Sequence, residues 1–415
     1  MAFLLLILLA GVPIAYAIGG VAMLGNHWFD ATSFTRLAET QFSSLNSFVL
    51  LAIPFFVLAG NIMLKGLMAR SLFDLMHALT RWLTGGAAIG ATGACTLFGS
   101  MTGSSAASAA ALAPVIVPEL GRLGYPRRMA CGLTAAGGTL GIMLPPSVVF
   151  IIYGVLTGTS VASLFLAGII PGLFLAVLLA LTCYFLARRH GMGTAERFNT
   201  AEALHHLRRA FPSLLMPVIV LGGIYSGWFT PTEAAAISVV YALLITRYVY
   251  KTLKWKDLPG IFIESAHNSA VILIILSASL GIGLLASFLG TADWLAEQLL
   301  SYELNAWQFL LAVNLLLLLF GAFFDGFTLL VLFTPLLLPA LIALDIDLIH
   351  FCIIMTANIE IASITPPVGL NLFVISSTTR IKLMEVAYGA LPFVGVLLVG
   401  LLLITYIPWL SLALL

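Results

Sequence analysis

Charge is scarce in this chain. Only 8% of its 415 residues are Asp, Glu, Lys or Arg, and 61% are hydrophobic, whereas a soluble domain carries roughly a quarter charged residues. So little charge cannot solvate a globular surface. A soluble protein is excluded, and the class is an all-α polytopic membrane protein. The net charge of +1 implies no acidic partner, and no long basic run points to nucleic acid. Cysteine is rare as well. Cys95, Cys131, Cys183 and Cys352 are scattered through apolar segments and read as small core residues, neither disulfide partners nor metal ligands. The seven histidines show no metal spacing, and His205 and His206 read as part of a solvated face. No GxxxxGK[ST] loop occurs, and the largest polar segment, about 20 residues, is too short to hold a nucleotide-binding domain. The chain is therefore not expected to hydrolyse ATP, and any work it does draws on an ion gradient or a partner. HExxH, GxSxG and paired His/Asp clusters are missing too, which speaks against an enzyme. The N-terminus lacks a basic n-region and flows straight into a long apolar run, so a retained span is expected there and not a cleaved signal.

What is present is apolar sequence broken in two places. From Gly99 to Gly154 a cluster of small and hydroxyl residues, Gly99 to Ser108, is followed by a basic connector and a Pro145-Pro146 break. A continuous helix does not pass such positions unperturbed. Broken backbone at membrane depth is tolerated only where it is buried in protein or lines a cavity. The stretch from Phe320 to Ser376 repeats the pattern. With a shift of 221 positions, Pro114, Pro118, Pro145 and Pro146 fall on Pro335, Pro339, Pro366 and Pro367, and Ser104 falls on Asp325. Paired, interrupted hydrophobic segments in the two halves of a chain are the sequence signature of a secondary transporter's site.

The hydropathy predicts nine spans, at about 2–24, 46–64, 128–158, 161–187, 211–229, 232–250, 268–290, 349–378 and 387–412, each with the ~20 residues a crossing needs or more, those at 128–158 and 349–378 being discontinuous. Two further segments, 86–120 and 306–343, have arms too short to cross. They read as re-entrant hairpins, with tips at Gly99–Ser105 and near Asp325-Gly326. Residues 66–84, with Arg70, Asp74, His77 and Arg81 among Leu and Phe, suit an interfacial helix. The segments 25–44 and 190–209 read as a loop and a polar midpoint linker, and a short amphipathic piece precedes 268. Trp28, Trp228, Trp255 and Trp409 near span ends read as interfacial anchors. Basic clusters at 65–81, 122–128, 188–209, 247–256 and 380–382 face the cytoplasm by the positive-inside rule, and the acidic loops 291–304 (Asp293, Glu297, Glu303) and 341–348 face outward. The two hairpins then enter from opposite sides, as inverted repeats do.

Each tip facing its own break has the makings of a sodium site, built from exposed carbonyls, hydroxyls and a carboxylate. The first would use Ser100, Gly103 and Ser104 with the carbonyls of Gly138 and Pro145. The second would use Asp325 and Thr328 with Thr365, Pro366 and Gly369. Helix N-termini at the breaks favour an anion between the tips, held by Ser105, Thr139 and the amide of Asn358. The small residues also suit close packing, as in Gly86-xxx-Gly90. Two acids lie at membrane depth. Asp325 reads as an ion ligand or a structural cap. Glu360 reads as a proton or coupling site, a contact for a partner helix, or a pocket-facing structural residue.

The runs GSMTGSSAASAAALAPVIVPELGRLGY, TAAGGTLGIMLPPSVVFIIYG, FTPLLLPALIALDID and ITPPVGLNLFVIS, with GVPIAYAIG and LLAIPFFVLAGNIM near the start, resemble the large membrane subunit of TRAP transporters, the tripartite ATP-independent periplasmic family. The resemblance spans essentially the whole chain. It implies a sodium-driven importer of organic acids such as dicarboxylates, sialic acids or keto acids in the bacterial inner membrane. It also implies a fold like that of the divalent-anion sodium symporters, with an elevator domain carrying both hairpins. The implied partners are a periplasmic substrate-binding protein and a small four-helix membrane subunit, with sodium as co-substrate and no other cofactor. On this basis residues 1–85 are expected to form scaffold spans and an arm helix, and 86–160 the first hairpin and broken helix. Residues 161–305 would be scaffold spans, linker and second arm, 306–379 the second hairpin and broken helix, and 380–415 the last span. The acid at Glu360 is not a feature the family leads one to expect. A self-sufficient symporter of the same fold, needing no binding protein, is the alternative; a channel fits inverted broken hairpins less well.

Overall fold

The computed structural model describes residues 12–64, 68–193, 195–290 and 305–415, and every regular element among them is a helix. In order these are α1 (Ile14–Phe29), α2 (Phe34–Leu45), a 3₁₀ turn (Phe48–Leu51) running into α3 (Ala52–Leu64), α4 (Met68–Thr80), α5 (Gly86–Thr102), α6 (Ser105–Arg122), α7 (Arg127–Met143), α8 (Val148–Thr157) and α9 (Val161–His190). The second half holds α10 (Thr200–Tyr225), α11 (Pro231–Leu244), α12 (Leu258–Phe288), α13 (Ala306–Gly321), α14 (Gly326–Ala343), α15 (Leu348–Ala362), α16 (Leu370–Thr379), α17 (Leu383–Tyr406) and α18 (Trp409–Leu412). The acidic segment with Asp293, Glu297 and Glu303, the start of the first span and Lys65 lie outside the described residues.

Local chemistry sets the ends of these helices. Ser33, Ser160 and Asn199 accept from backbone N–H groups of the first turns of α2, α9 and α10. Thr230 and Glu233 form a reciprocal capping box, with Pro231 at the first helical position, where its missing N–H costs nothing. Among the described residues, six helices are long and apolar enough to cross a membrane: α9, α10, α11 with its following turn, α12 with its preceding turn, α14 and α17. The bent pairs α2–α3 and α7–α8 bring the number to eight. By length alone α14 qualifies as a span. Its N-terminus, however, stops against Ile359, one turn before the break that ends α15, as the arm of a hairpin does.

The 221-residue shift holds for structure as well as for prolines. It carries α6 onto α14 end for end, and α5, α7, α8 and α9 onto α13, α15, α16 and α17 to within a few residues. Both Pro-Pro peptide bonds are cis.

Some expectations shift. Residues 34–44 of the expected loop lie in α2, capped by Ser33, and half of the polar linker is helical because Asn199 starts α10. The amphipathic piece before 268 is the first part of one continuous α12. The first tip is shorter than the expected Gly99–Ser105: α5 runs through Thr102, leaving only Gly103 and Ser104 between the arms.

The helices sort into two groups. α1–α3 pack with α10–α12, while α5–α8 pack with α13–α17. α9, expected beside the scaffold spans, packs on α5, α7 and α17. Hydropathy shows that a helix is buried but not against which neighbour. Among the described residues, every side-chain hydrogen bond between separate helices lies within one group or on α4 and its flanks. Asn61 donates to Ser265 (2.8 Å) and Ser277 to the Gln41 carbonyl (2.9 Å) in the first group. Tyr153 donates to the Leu348 carbonyl (2.8 Å) and Asn314 to Thr405 (2.9 Å) in the second. The surface between the groups carries small residues, such as Gly60 against the Thr102 backbone and Gly283 against Pro335.

α4 joins the groups. It packs on α5, α6 and α10; the backbone of His77 and Thr80 closes on Gly90 and Gly86, and Arg70 pairs with Glu119 of α6 (3.0 Å). Just after α4, Arg81 pairs with Glu196 and Glu202 of the linker. Its carbonyl also accepts from the Glu196 N–H (2.9 Å). The bond to Glu196 raises the Arg81 pKa, while burial, and then the Arg81 charge, lower that of His77. Arg81→Gln is expected to free the linker, read as several-fold faster trypsin cleavage at the exposed Arg197 with the helical core still resistant.

Candidate functional site

The first hairpin tip rests on the first break. Gly103 has φ +60°, and a Cβ there would lie 2.6 Å from the Pro146 carbonyl oxygen. Below it, Gly99 and Gly141 bring α5 and α7 to backbone distance, and Gly138 meets Ala109 of α6. Larger side chains at these positions would hold the tip off the break. Ser104 caps α6 through its hydroxyl, which accepts from the Ala107 N–H (3.4 Å). The Ser104 carbonyl accepts from the Ser108 hydroxyl (2.8 Å), which pairs with Thr102 (2.7 Å). Ser100 turns back to the Leu97 carbonyl (2.8 Å). The break itself, Leu144 to Ser147, is fully buried, and Ser147 donates to the Ile142 carbonyl (2.6 Å).

The second tip mirrors the first with different chemistry. Asp325 is the N-cap of α14, its Oδ2 accepting from the N–H groups of Phe327 (3.1 Å) and Thr328 (3.3 Å). The buried Thr328 hydroxyl donates to its Oδ1. The structure thus gives Asp325 the role of a cap, and a carboxylate held this way still has lone pairs for a cation. The tip is tied to its break by a bond from the Val368 N–H to the Ala322 carbonyl (3.1 Å). Within the break, Thr365 donates to the Ile361 carbonyl (2.6 Å), Gly369 has φ +40°, and the Asn371 N–H reaches back to the Ser363 carbonyl (2.9 Å). The two breaks differ in access: Pro366, Pro367 and Val368 are exposed, whereas their counterparts in the first half are buried.

The expected residues for an anion do not form one hydrogen-bonded set. Thr139 is fully buried and donates back to the Ala136 carbonyl (2.7 Å). Asn358 donates to Asn314 (2.7 Å) and to the Ile354 carbonyl (2.9 Å), which places it in a chain running on to Thr405 of α17. Ser105, at the first tip, accepts instead from Asn371 (2.7 Å), which also donates to the Ala135 carbonyl (3.0 Å). Asn371 therefore joins the second broken helix to the first hairpin, and its buried Oδ1 has no partner among the described residues. Sequence reading missed Asn371 and Asn314, and held Thr102 and Ser108 only as members of the Gly99 to Ser108 cluster. The position of Asn371 two residues after Gly369, at the restart of a broken helix, is the one signal that pointed to it.

Glu360 sits on α15 at 0% exposure, and neither carboxylate oxygen has a partner among the described residues. Also among these, no group of three or more His, Cys, Asp or Glu side chains is placed to hold a metal ion.

The sequence matches the family model described as "Tripartite ATP-independent periplasmic transporter, DctM component" over residues 1–410. The chain belongs to this family. The C4-dicarboxylate TRAP transporter large permease protein DctM of Pseudomonas aeruginosa is 41% identical over 393 residues, covering 93% of this chain and 90% of that one. The isethionate TRAP transporter permease protein DctMQ of Oleidesulfovibrio alaskensis is 34% identical over 404 residues, 97% of this chain but 64% of that longer one. In fold, the chain resembles the crystal structure of the Alcanivorax borkumensis YdaH transporter, with a TM-score of 0.63 at 16% identity over 92% of this chain and 88% of that one. This TRAP large permease is thus a polytopic transporter component and not an enzyme.

Proposed function

We propose that this TRAP permease imports an organic acid anion, using an inward sodium gradient, by moving the body of α5–α9 and α13–α17 against the scaffold of α1–α3 and α10–α12. The observation that carries the reading is the twofold arrangement of a hairpin tip on its own helix break, held in one body that shares no side-chain hydrogen bond with the scaffold among the described residues. Sodium would bind at each tip. The first site would draw on Ser100, Gly103, Ser104 and the carbonyls of Gly138 and Pro145, and the second on Asp325, Thr328, Thr365, Pro366 and Gly369. Gly138 contributes mainly packing, since Ala109 closes over it. The anion would lie where Ser105 and Asn371 meet, with Thr139 and Asn358 shaping the wall. The C4-dicarboxylate and isethionate relatives favour a small organic anion of the dicarboxylate or sulfonate kind.

The word tripartite in the family's description supports two partners, a small membrane subunit and a periplasmic substrate-binding protein. The longer DctMQ relative supports a small membrane subunit as one of the two. The protein would sit in a bacterial inner membrane, with its basic loops on the cytoplasmic side. The test is uptake of labelled dicarboxylates, sulfonates and sialic acid into proteoliposomes holding the permease and its small subunit. Uptake should need both the binding protein and an inward sodium gradient. Uptake without the binding protein would establish the self-sufficient symporter instead.

Glu360 favours a second contribution. An acid buried in the membrane interior is a functional candidate by default, proton relays among the roles, so Glu360 would serve coupling. Glu360→Gln keeps the shape of the side chain. It is expected to leave sodium-driven uptake intact and to abolish any additional drive from an imposed proton gradient. Unchanged proton drive in the variant would assign Glu360 to structure.

A further inference from the structure

The scaffold carries a second polar feature far from both hairpins. α11 ends in a π-helical turn, Ile245–Val249, and the chain doubles back so that the Thr252 N–H bonds the Thr246 carbonyl (3.0 Å). Tyr250 pins this corner by its hydroxyl, which pairs with Ser213 (2.7 Å) and donates to the Arg209 carbonyl (2.9 Å) of α10. The fold-back sets Arg247 between two rings, its Cζ 5.8 Å from the Tyr248 centroid and 6.0 Å from that of Trp255. A cavity of about 190 Å³ opens beside it, walled by Val240, Leu244 and Leu258. Val240 and Leu244 are 58% and 50% exposed, so the cavity opens on the outer, lipid-facing surface of α11.

Arg247 has no acidic partner within ion-pair distance among the described residues, and its Nε is buried without a hydrogen bond. A guanidinium so placed has donors to spare. The turn that follows carries the exposed Lys251, Lys254 and Lys256, while its one acid, Asp257, is occupied by the Lys254 N–H (3.1 Å). A cation held between interfacial aromatics, an apolar slot beside it and a basic turn next in the chain match the three parts of one molecule.

We propose that this corner is a binding site for an anionic phospholipid of the cytoplasmic leaflet. Its phosphate pairs with Arg247 between Tyr248 and Trp255, its acyl chain enters the slot along α11, and its polar headgroup lies towards the lysines, whose charge adds to the pull on the phosphate. Basic pockets at the cytoplasmic ends of membrane helices recognise anionic headgroups in this way. The corner lies at the α11–α12 turn of the scaffold, so a lipid bound there would brace the part of the protein that stays still during transport. The inference does not depend on the substrate or on the coupling ion.

The full chain, reconstituted in phosphatidylcholine vesicles, provides the test. The Trp255 fluorescence is isolated as the difference between wild type and Trp255→Phe, and dibrominated phosphatidylglycerol or dibrominated phosphatidylcholine is added as quencher. Half-maximal quenching is expected at a roughly fivefold lower mole fraction of the glycerol lipid. Arg247→Gln should remove that preference, Arg247→Lys should keep part of it, and replacing Lys251, Lys254 and Lys256 with Gln should weaken it less than Arg247→Gln does. Equal quenching by both lipids, or a preference that survives Arg247→Gln, would overturn the proposal. So would a preference that disappears when the small membrane subunit is reconstituted alongside, since protein and not lipid would then fill the slot.

Discussion

Gly103→Ala is expected to cut sodium-driven uptake at least tenfold, whereas Gly326→Ala at the corresponding tip costs far less. Gly103 has φ +60°, a region that costs a side-chain-bearing residue roughly 1–2 kcal/mol. Its Cβ would also meet the Pro146 carbonyl oxygen at 2.6 Å, and overpacking of this kind costs about 1–3 kcal/mol. Both penalties fall on the contact between the tip and its break. Together they exceed the ~1.4 kcal/mol that corresponds to a factor of ten. At Gly326 the obstacle is Cγ2 of Ile359, 2.3 Å away but at the end of a rotatable side chain, and the Gly326 backbone is ordinary helix. The measurement is initial uptake rate against sodium concentration, normalised to the amount of folded permease. Equal losses in the two variants would show that the first tip has no special dependence on its glycine.

The second large effect concerns motion. Gly283 of α12 and Pro335 of α14 face each other across the scaffold and the hairpin body, with 3.3 Å between the Cβ that Gly283 would gain and that of Pro335. Disulfide-bonded cysteines have Cβ atoms about 3.5–4.5 Å apart, so Gly283→Cys with Pro335→Cys should cross-link after a small adjustment. All four natural cysteines are buried, which leaves an oxidant little else to attack. If α14 moves past α12 during transport, the oxidised double variant should fall to background uptake and a reductant should restore it. Each single variant should be indifferent to oxidant. Full uptake with the bond quantitatively formed would mean that the two groups do not move past one another at this point, and the elevator reading would fail.

The breaks and hairpins were legible in the sequence because their signals are local. Proline pairs stop helices wherever they occur, arms shorter than a span announce themselves by length, and the same spacing occurs twice. Helix ends set by single caps, such as Ser33 and Asn199, escaped because a polar stretch between spans looks the same whether it is loop or solvated helix. The polar connections within the body were hardest. Asn371 finds Ser105 at a separation of 266 residues, and Asn358 is committed to Asn314, 44 residues away. A lone amide in an apolar helix carries no mark of its partner. The placement of α9 beside α5 and α17 was hidden for the same reason, since its apolar residues would suit either group. Asp325 was legible as important, but its use of both oxygens within its own tip depends on the start of α14, which only the structure fixes.

Direct sodium binding tests the central claim, that each hairpin tip and its break form one ion site. The measurement is equilibrium binding of radioactive sodium to the purified permease with its small subunit, comparing wild type with Gly103→Ala and Asp325→Ala. The account predicts saturable binding in the wild type, partial loss in each variant, and near-complete loss when the two are combined. Wild-type binding in both single variants, or no saturable binding at all, would contradict it.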